Sequence, residues 1–279
     1  MFNPKYPLLT LAILLFTFSS CQPEKPKAEK TVDKNKFVFK KEQQHFAKAS
    51  DGCKSDSAEC ATIEMNFPQF KEKGAIFQQI NDSILHYVKT ALTFEDEEIE
   101  ASMNLNDLGN RFIQDYNEYT AESKLQATED NSDPFITGWS IETEGQVTFE
   151  SPKAVSISLS NYTYTGGAHP NSNITLLNYS VLTGKPLKIK DLVSNQSKLV
   201  QLAEQKFRKT LELAANANLN DQGYFWDGKF QLPANFGIVE EGLLFFYNSY
   251  EIAAYAVGPT DFVLTWVELG DLLDMSKLK

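Results

Sequence analysis

Residues 154–164, AVSISLSNYTY, decide the fold class of this chain. Val155, Ile157 and Leu159 alternate strictly with Ser156, Ser158 and Ser160, the period of two that marks a β-strand with one apolar face. The aromatic residues then move to even positions, Tyr162 and Tyr164, and this change of facing predicts a β-bulge near Asn161. The same period runs upstream, where Phe135, Thr137, Trp139, Ile141 and Thr143 share a face. Gly145 predicts a turn there, and Val147 and Phe149 continue beyond it. Downstream, ITLLNYSVL (174–182) is a more uniformly apolar strand, closed by the turn Thr183-Gly184-Lys185-Pro186.

Further out, the period changes. Ile76, Ile80, Ile84, Val88 and Leu92 repeat at helical spacing, with Phe77 and Leu85 widening the stripe. An acidic stretch, EDEEIE (95–100), reads as a solvated loop or helix start. Leu105, Leu108, Phe112, Tyr116 and Tyr119 mark a second helix, followed by a surface loop over 126–134. A third helix is predicted over 195–217, with Leu199, Leu202, Ala203, Phe207, Leu211 and Ala214 on one face. Strands are expected from Phe37 and Phe39 and again from Ala61, Ile63, Met65 and Phe67, the latter ended by Pro68. The last third reads as a Phe236–Val239 strand, a turn at Glu241-Gly242, LLFFY (243–247) and FVLTWVEL (262–269). Strands and helices come in blocks and not in repeating βαβ units. That predicts an α+β fold, mainly antiparallel sheets with about three packed helices.

The N-terminus has a different composition. Lys5 precedes an uncharged apolar run of 11 residues, Leu8 to Phe18, which is too short to span a bilayer. Ser19 and Ser20 lead into Cys21, so residues 1–20 read as a cleaved secretory signal. The small-small-Cys ending resembles the lipobox of bacterial lipoproteins, which implies a lipid on Cys21. The expected location is the cell envelope, lipid-anchored and facing the periplasm or the outer membrane. Residues 21–35 are rich in Pro, Glu and Lys and read as a disordered tether. Cys53 and Cys60, separated by KSDSAE, are expected to form a disulfide across the end of a β-hairpin. In the chain-entropy model that closure contributes roughly 2.5 kcal/mol. The formal net charge of −11 argues against nucleic acid as a partner. It is compatible with a basic protein partner, and the plainer reading is solubility alone.

Two segments are candidates for chemistry. In TYTGGAHPNS (163–172), Gly166 and Gly167 free the backbone for positive φ, and Pro170 stiffens the end of the loop. Tyr162 and Tyr164 offer stacking faces, and His169 and Asn171 offer polar contacts. The alternative is a tight strand connection whose His and Asn bond the local backbone. In FFYNSYEIAAYAVGP (245–259), Tyr247, Tyr250 and Tyr255 surround Glu251, which reads as a binding or packing anchor more readily than as a catalytic acid. No G-x-S-x-G elbow is present, and Gly166-Gly167 is not followed by a phosphate-loop Lys. The three histidines, His45, His86 and His169, are too few for a metal-dependent deacetylase site. Neither a metal nor a cofactor is expected.

TGGAHPNS, NYSVLTGKPLKIKDLV (178–193) and FGIVEEGLLFFYNSYEIAAYAVGP together resemble a family of extracytoplasmic α+β domains. They occur in the ectodomain of RsiV-type anti-sigma factors and beside the catalytic domain of PdaC-type peptidoglycan deacetylases. The resemblance covers roughly residues 55–270 and implies two intimately joined halves, 36–183 and 184–279. It further implies recognition of lysozyme, as in RsiV-type proteins, or of a cell-wall glycan. The expected protein is a non-enzymatic, membrane-held binding module, with Tyr162, Tyr164, Gly166, Gly167, His169, Pro170, Asn171, Tyr250 and Glu251 as binding residues. The alternative is an envelope hydrolase using a carboxylate pair or His169.

Overall fold

The serine-spaced strand lies between two layers, and both of its faces are covered over its first half. The computed structural model describes residues 37–53, 59–93 and 102–279. The elements are β1 (Lys41–Ala49), β2 (Ala61–Phe70), α1 (Ala75–Thr90), α2 (Leu105–Asp130), β3 (Trp139–Glu150), β4 (Ala154–Tyr164), β5 (Asn171–Ser180), α3 (Ile189–Leu192), α4 (Gln196–Thr210), β6 (Phe236–Ile238), β7 (Gly242–Tyr247), β8 (Thr260–Thr265) and α5 (Trp266–Leu269). The fold is α+β: a five-stranded sheet in the order β1-β2-β3-β4-β5 and a three-stranded sheet in the order β6-β7-β8. Every neighbouring pair is antiparallel except β2 and β3, which the α1–α2 connection makes parallel. Three long helices pack on these sheets, as expected, and α3 and α5 are single turns.

Helices α1 and α2 cover one face of the large sheet. Ile80, Ile84, Leu108 and Phe112 meet Ile63, Met65, Ile157 and Leu159 in a dry core. The small sheet and α4 form a second core around Phe207, which is fully buried against Phe225, Tyr247 and Phe262. The layers meet through side-chain amides and a hydroxyl. Ser156 Oγ donates to Asn178 Oδ1 (2.8 Å), Asn178 Nδ2 donates to the Phe236 carbonyl (2.7 Å), and the Ile238 N–H reaches both Asn178 Oδ1 and Ser156 Oγ at 3.1 Å. In return, Asn235 and Asn248 bond the outer edge of β5 at Ile174 and Leu176. These contacts satisfy buried backbone groups at strand edges that no further strand pairs.

Several sequence expectations are corrected. The register irregularity lies in β3 between Val147 and Phe149, and not at Asn161, whose pairing is continuous with both neighbours. Ser156 and Ser158 are buried, and that part of the serine face meets the second layer, whereas Ser160 is exposed. Gly145 does not turn the chain. It sits mid-strand, where a Cβ would lie 2.8 Å from Leu159 Cδ2 and 3.1 Å from Phe67 Cα. Pro68 does not end β2. Pairing with β3 stops at Asn66, so the last residues of β2 have one neighbour only and tolerate a missing N–H. Phe37 and Phe39 precede the first strand; Phe39 is buried, and its N–H is held by Glu150, which also pairs with Lys41 at 2.7 Å. Phe135 also precedes its strand and is exposed.

Helix α2 runs to Asp130, into the loop predicted over 126–134, and stops at Asn131, which takes the left-handed conformation (φ 51°). Helix α4 stops at Thr210 and not at 217, because Glu212 adopts φ 55° and Arg208 Nη1 bonds the Ala214 and Ala217 carbonyls. The WVEL end of the last predicted strand is α5, capped by Thr265 and Glu268. Cys53 and Cys60 form the expected disulfide at the β1–β2 connection, with Cα atoms 5.5 Å apart. The signal, Cys21, the tether and the acidic 95–100 stretch lie outside the described residues. Among the described residues no helix is long and apolar enough to cross a membrane.

Candidate functional site

Helix α1 ends at Thr90, and the sheet runs on past it. Along β4 the helix-facing positions read Val155, Ile157, Leu159, Asn161, Thr163. The first three are completely buried, whereas the last two are half-buried and floor a cleft. Their cross-strand neighbours continue the change. Thr143 on β3 and Asn173 on β5 lie opposite Asn161, and Ile141 and Asn171 lie opposite Thr163. Thr143 Oγ1 donates to Asn161 Oδ1 (2.8 Å), and Asn161 Nδ2 reaches Asn173 Oδ1 (3.3 Å). This amide row runs across three strands, and Thr163 and Asn171 are not tied into it.

The cleft measures about 600 Å³. One wall is the last residue of α1 and the turn after it, Thr90 to Thr93, with Phe112 of α2 beneath it. The other is the glycine loop, through Thr165, Gly166 and His169. Gly166 (φ 96°) and Gly167 (φ 93°) adopt the positive φ expected of them. Behind Gly166 the Thr137 hydroxyl is buried with no hydrogen-bond partner among the described residues, 3.2 Å from the place a Cβ on Gly166 would occupy. A buried hydroxyl left unpaired costs free energy until something bonds it. Here glycine is what keeps the space beside it open.

The loop is braced from the second layer. His169 stacks on Tyr255 (ring centroids 3.8 Å apart, planes 16° apart). Its Nδ1 lies 2.9 Å from the Pro170 carbonyl and so donates to it. Tyr255 OH donates to the same carbonyl at 2.9 Å. Tyr250, with φ 70°, places its ring 5.5 Å from Tyr255 and 6.4 Å from His169. These three rings form a ridge beside the cleft.

The predicted site residues divide accordingly. Gly166, His169 and Asn171 line the cleft, and Pro170 anchors its wall. Tyr162 and Tyr164 point to the other face of β4; Tyr164 OH donates to the Gly167 carbonyl (3.2 Å), so it braces the loop and offers the cleft no stacking face. Glu251 accepts from Asn248 (3.2 Å) and lines a second cavity of about 420 Å³ with Phe225, Trp226 and Tyr247. Neither Glu251 nor Glu240 nor Glu241 shares the cleft with His169. Burial, and secondarily Glu251, pushes the Tyr247 phenol far above its ordinary value; its OH donates to the Gln231 carbonyl (2.5 Å) and serves packing. His86 is an exposed helix residue, and His45 Nδ1 meets Asn66 Oδ1 at 3.0 Å. Among the described residues no group of three His, Cys, Asp or Glu side chains is placed to hold a metal ion. Sequence reading missed Asn161, Thr163 and Asn173. Their signal was available as the core-facing positions of β4 and β5 turning from aliphatic to amide and hydroxyl.

Two layers joined at β4–β6, with a polar cleft at one end, define a class of paired α+β domain. The family described as deacetylase PdaC matches residues 54–172, and the family described as a protein of unknown function, DUF3298, matches residues 189–267. The chain fits a PdaC/DUF3298 paired-domain family. Its fold is similar to that of a DUF3298-family protein from Bacteroides fragilis (20% identity, 87% of this chain and 98% of that one, TM-score 0.65). It is likewise similar to a DUF3298-family protein from Pseudomonas aeruginosa (17% identity, 85% and 95%, TM-score 0.61). No curated protein matches the chain.

Proposed function

We propose that this chain is a lipid-anchored binding module of the bacterial cell envelope, and that its cleft holds a stretch of uncharged cell-wall glycan without turning it over. The observation that carries this reading is the lining. Its described residues are amides, hydroxyls and small or apolar side chains, with His169 as the single titratable group. Asn side chains donate and accept at once, which suits sugar hydroxyls and acetamido groups, while Ala91 adds a small apolar contact at the edge of the cleft. A hydrolytic site of the two-carboxylate kind needs acids on both sides of the bond, and the described lining has none. The deacetylase description belongs to the matched family; for this chain the lining favours holding over chemistry. A lipid on Cys21 would keep the cleft close to the wall.

The test is calorimetric titration of a soluble form starting at residue 22 with wall-derived oligosaccharides. Saturable binding is expected, weakened about tenfold or more by the paired change Thr163→Val and Asn171→Ala, each contact contributing ~1 kcal/mol. Absence of binding to every wall fragment overturns the reading, and so does release of acetate or new reducing ends during incubation.

A second reading has its own support. The formal net charge of −11 favours a strongly basic protein partner such as lysozyme. That complex would weaken steeply with salt and would not respond to the cleft substitutions.

A further inference from the structure

The 248–255 segment faces two cavities. On one side Tyr250 and Tyr255 pack with His169, which lines the polar cleft. On the other, Glu251 and Ile252 line the 420 Å³ cavity, whose rim carries Trp226 and Asp227. The segment between them is held firmly. Asn248 bonds both the N–H and the carbonyl of Ile174, and the Ile252 carbonyl accepts the Phe225 N–H at 2.7 Å. Phe225 and Tyr250 sit at φ 53° and 70°, in a region that non-glycine residues rarely occupy.

Trp226 is 66% exposed, although its neighbour Phe225 is buried in the second core. Its carbonyl is pinned by Asn220 Nδ2 (2.9 Å), so the main chain beneath this exposed indole is held in place. A large aromatic face left in water at the mouth of a cavity is contact area for a ligand with an apolar side.

We infer that the Trp226 cavity is a distal subsite of the cleft: a glycan chain lying in the amide-lined cleft crosses the His169–Tyr255–Tyr250 ridge and sets a further sugar on the Trp226 face. The inference rests on the glycan reading of the cleft. Asp227 and Glu251 accept hydroxyls of that outer sugar, and the indole covers its C–H face. The ligand is therefore a polymer, and affinity grows with the number of linked sugars until both cavities are filled.

The experiment compares a disaccharide with a longer oligosaccharide of the same wall glycan, on the wild-type chain and on Trp226→Ala and Trp226→Phe. The wild type should hold the longer ligand about tenfold more tightly. Trp226→Ala should remove that advantage and leave disaccharide affinity unchanged, and Trp226→Phe should restore most of it. Because the ring is exposed, thermal unfolding should show the same transition in all three. Equal affinity of wild type and Trp226→Ala for the longer ligand overturns the distal subsite while the cleft reading stands. Failure of the wild type to bind either length overturns both.

Discussion

Residues 155–159 and 160–164 are two halves of one strand, with the same two neighbours and opposite surroundings. The first half is closed in by α1 and α2 on one side and by the small sheet on the other, and even its serines are buried. The second half keeps the same pleat and the same pairing, but α1 has ended. The difference is the cover, and side-chain chemistry changes with it. Aliphatic residues occur where the helices lie overhead, and amides and hydroxyls where they do not. A cleft therefore arises here without any special backbone device in the sheet itself.

Three substitutions test that contrast. The largest effect belongs to the covered half. Ile157→Ala removes a completely buried side chain and should cost about 3–4 kcal/mol in denaturant unfolding. The paired cleft change Thr163→Val and Asn171→Ala should cost less than about 1 kcal/mol in the same measurement. Similar losses in both halves would show that the cleft end is as tightly built as the core.

The joint between layers comes next. Asn178→Ala strands the Phe236 carbonyl in a dry place, removes the acceptor of the Ser156 O–H and leaves the Ile238 N–H bonded to Ser156 Oγ alone. A loss of about 2–3 kcal/mol is expected. A much smaller loss would mean that water enters the seam, and that the two layers are less closely joined than the strand contacts imply.

The smallest effect lies at the rim of the second layer and is lost in acid. Burial alone would raise the Glu268 pKa, but Lys206 at 2.7 Å and the two Thr265 bonds outweigh it, so the folded-state value lies below 4.5. A lowered carboxylate pKa adds stability above the unfolded value and loses it as pH falls through the folded value. Stability against pH should therefore decline below about 4.5, and Glu268→Gln should flatten that decline while lowering the plateau at neutral pH. An unchanged acid limb in the variant would assign the decline to other carboxylates.

Much of the fold was legible. The stripes of Ile80, Ile84 and Val88 and of Leu199, Ala203 and Phe207 are buried as their spacing predicts, and Cys53 meets Cys60 at the hairpin end. The errors share a cause. The alternation of Ser156 and Ser158 carries no mark of the remote strand that covers that face and bonds Ser156. Gly145 and Pro68 suggest breaks because their local rules are strong, and here close packing and a missing neighbour override those rules. Of the candidate site, the glycine loop and His169 were visible as a motif. Tyr162 and Tyr164 fall on the other side of the strand because the expected bulge at Asn161 is, in the fold, a change of cover on an unbroken pleat.

The chain's own pattern determined its periods, its α+β class, its disulfide and the rigidity of the Gly166–Pro170 loop, since each depends on residues near one another in sequence. Which positions stay dry, which edge each asparagine closes and where the sheet outruns its helices were decided only in three dimensions. Those outcomes depend on partners such as Ile238 and Asn178, some sixty residues apart, and a strand carries no local mark of what will lie above it.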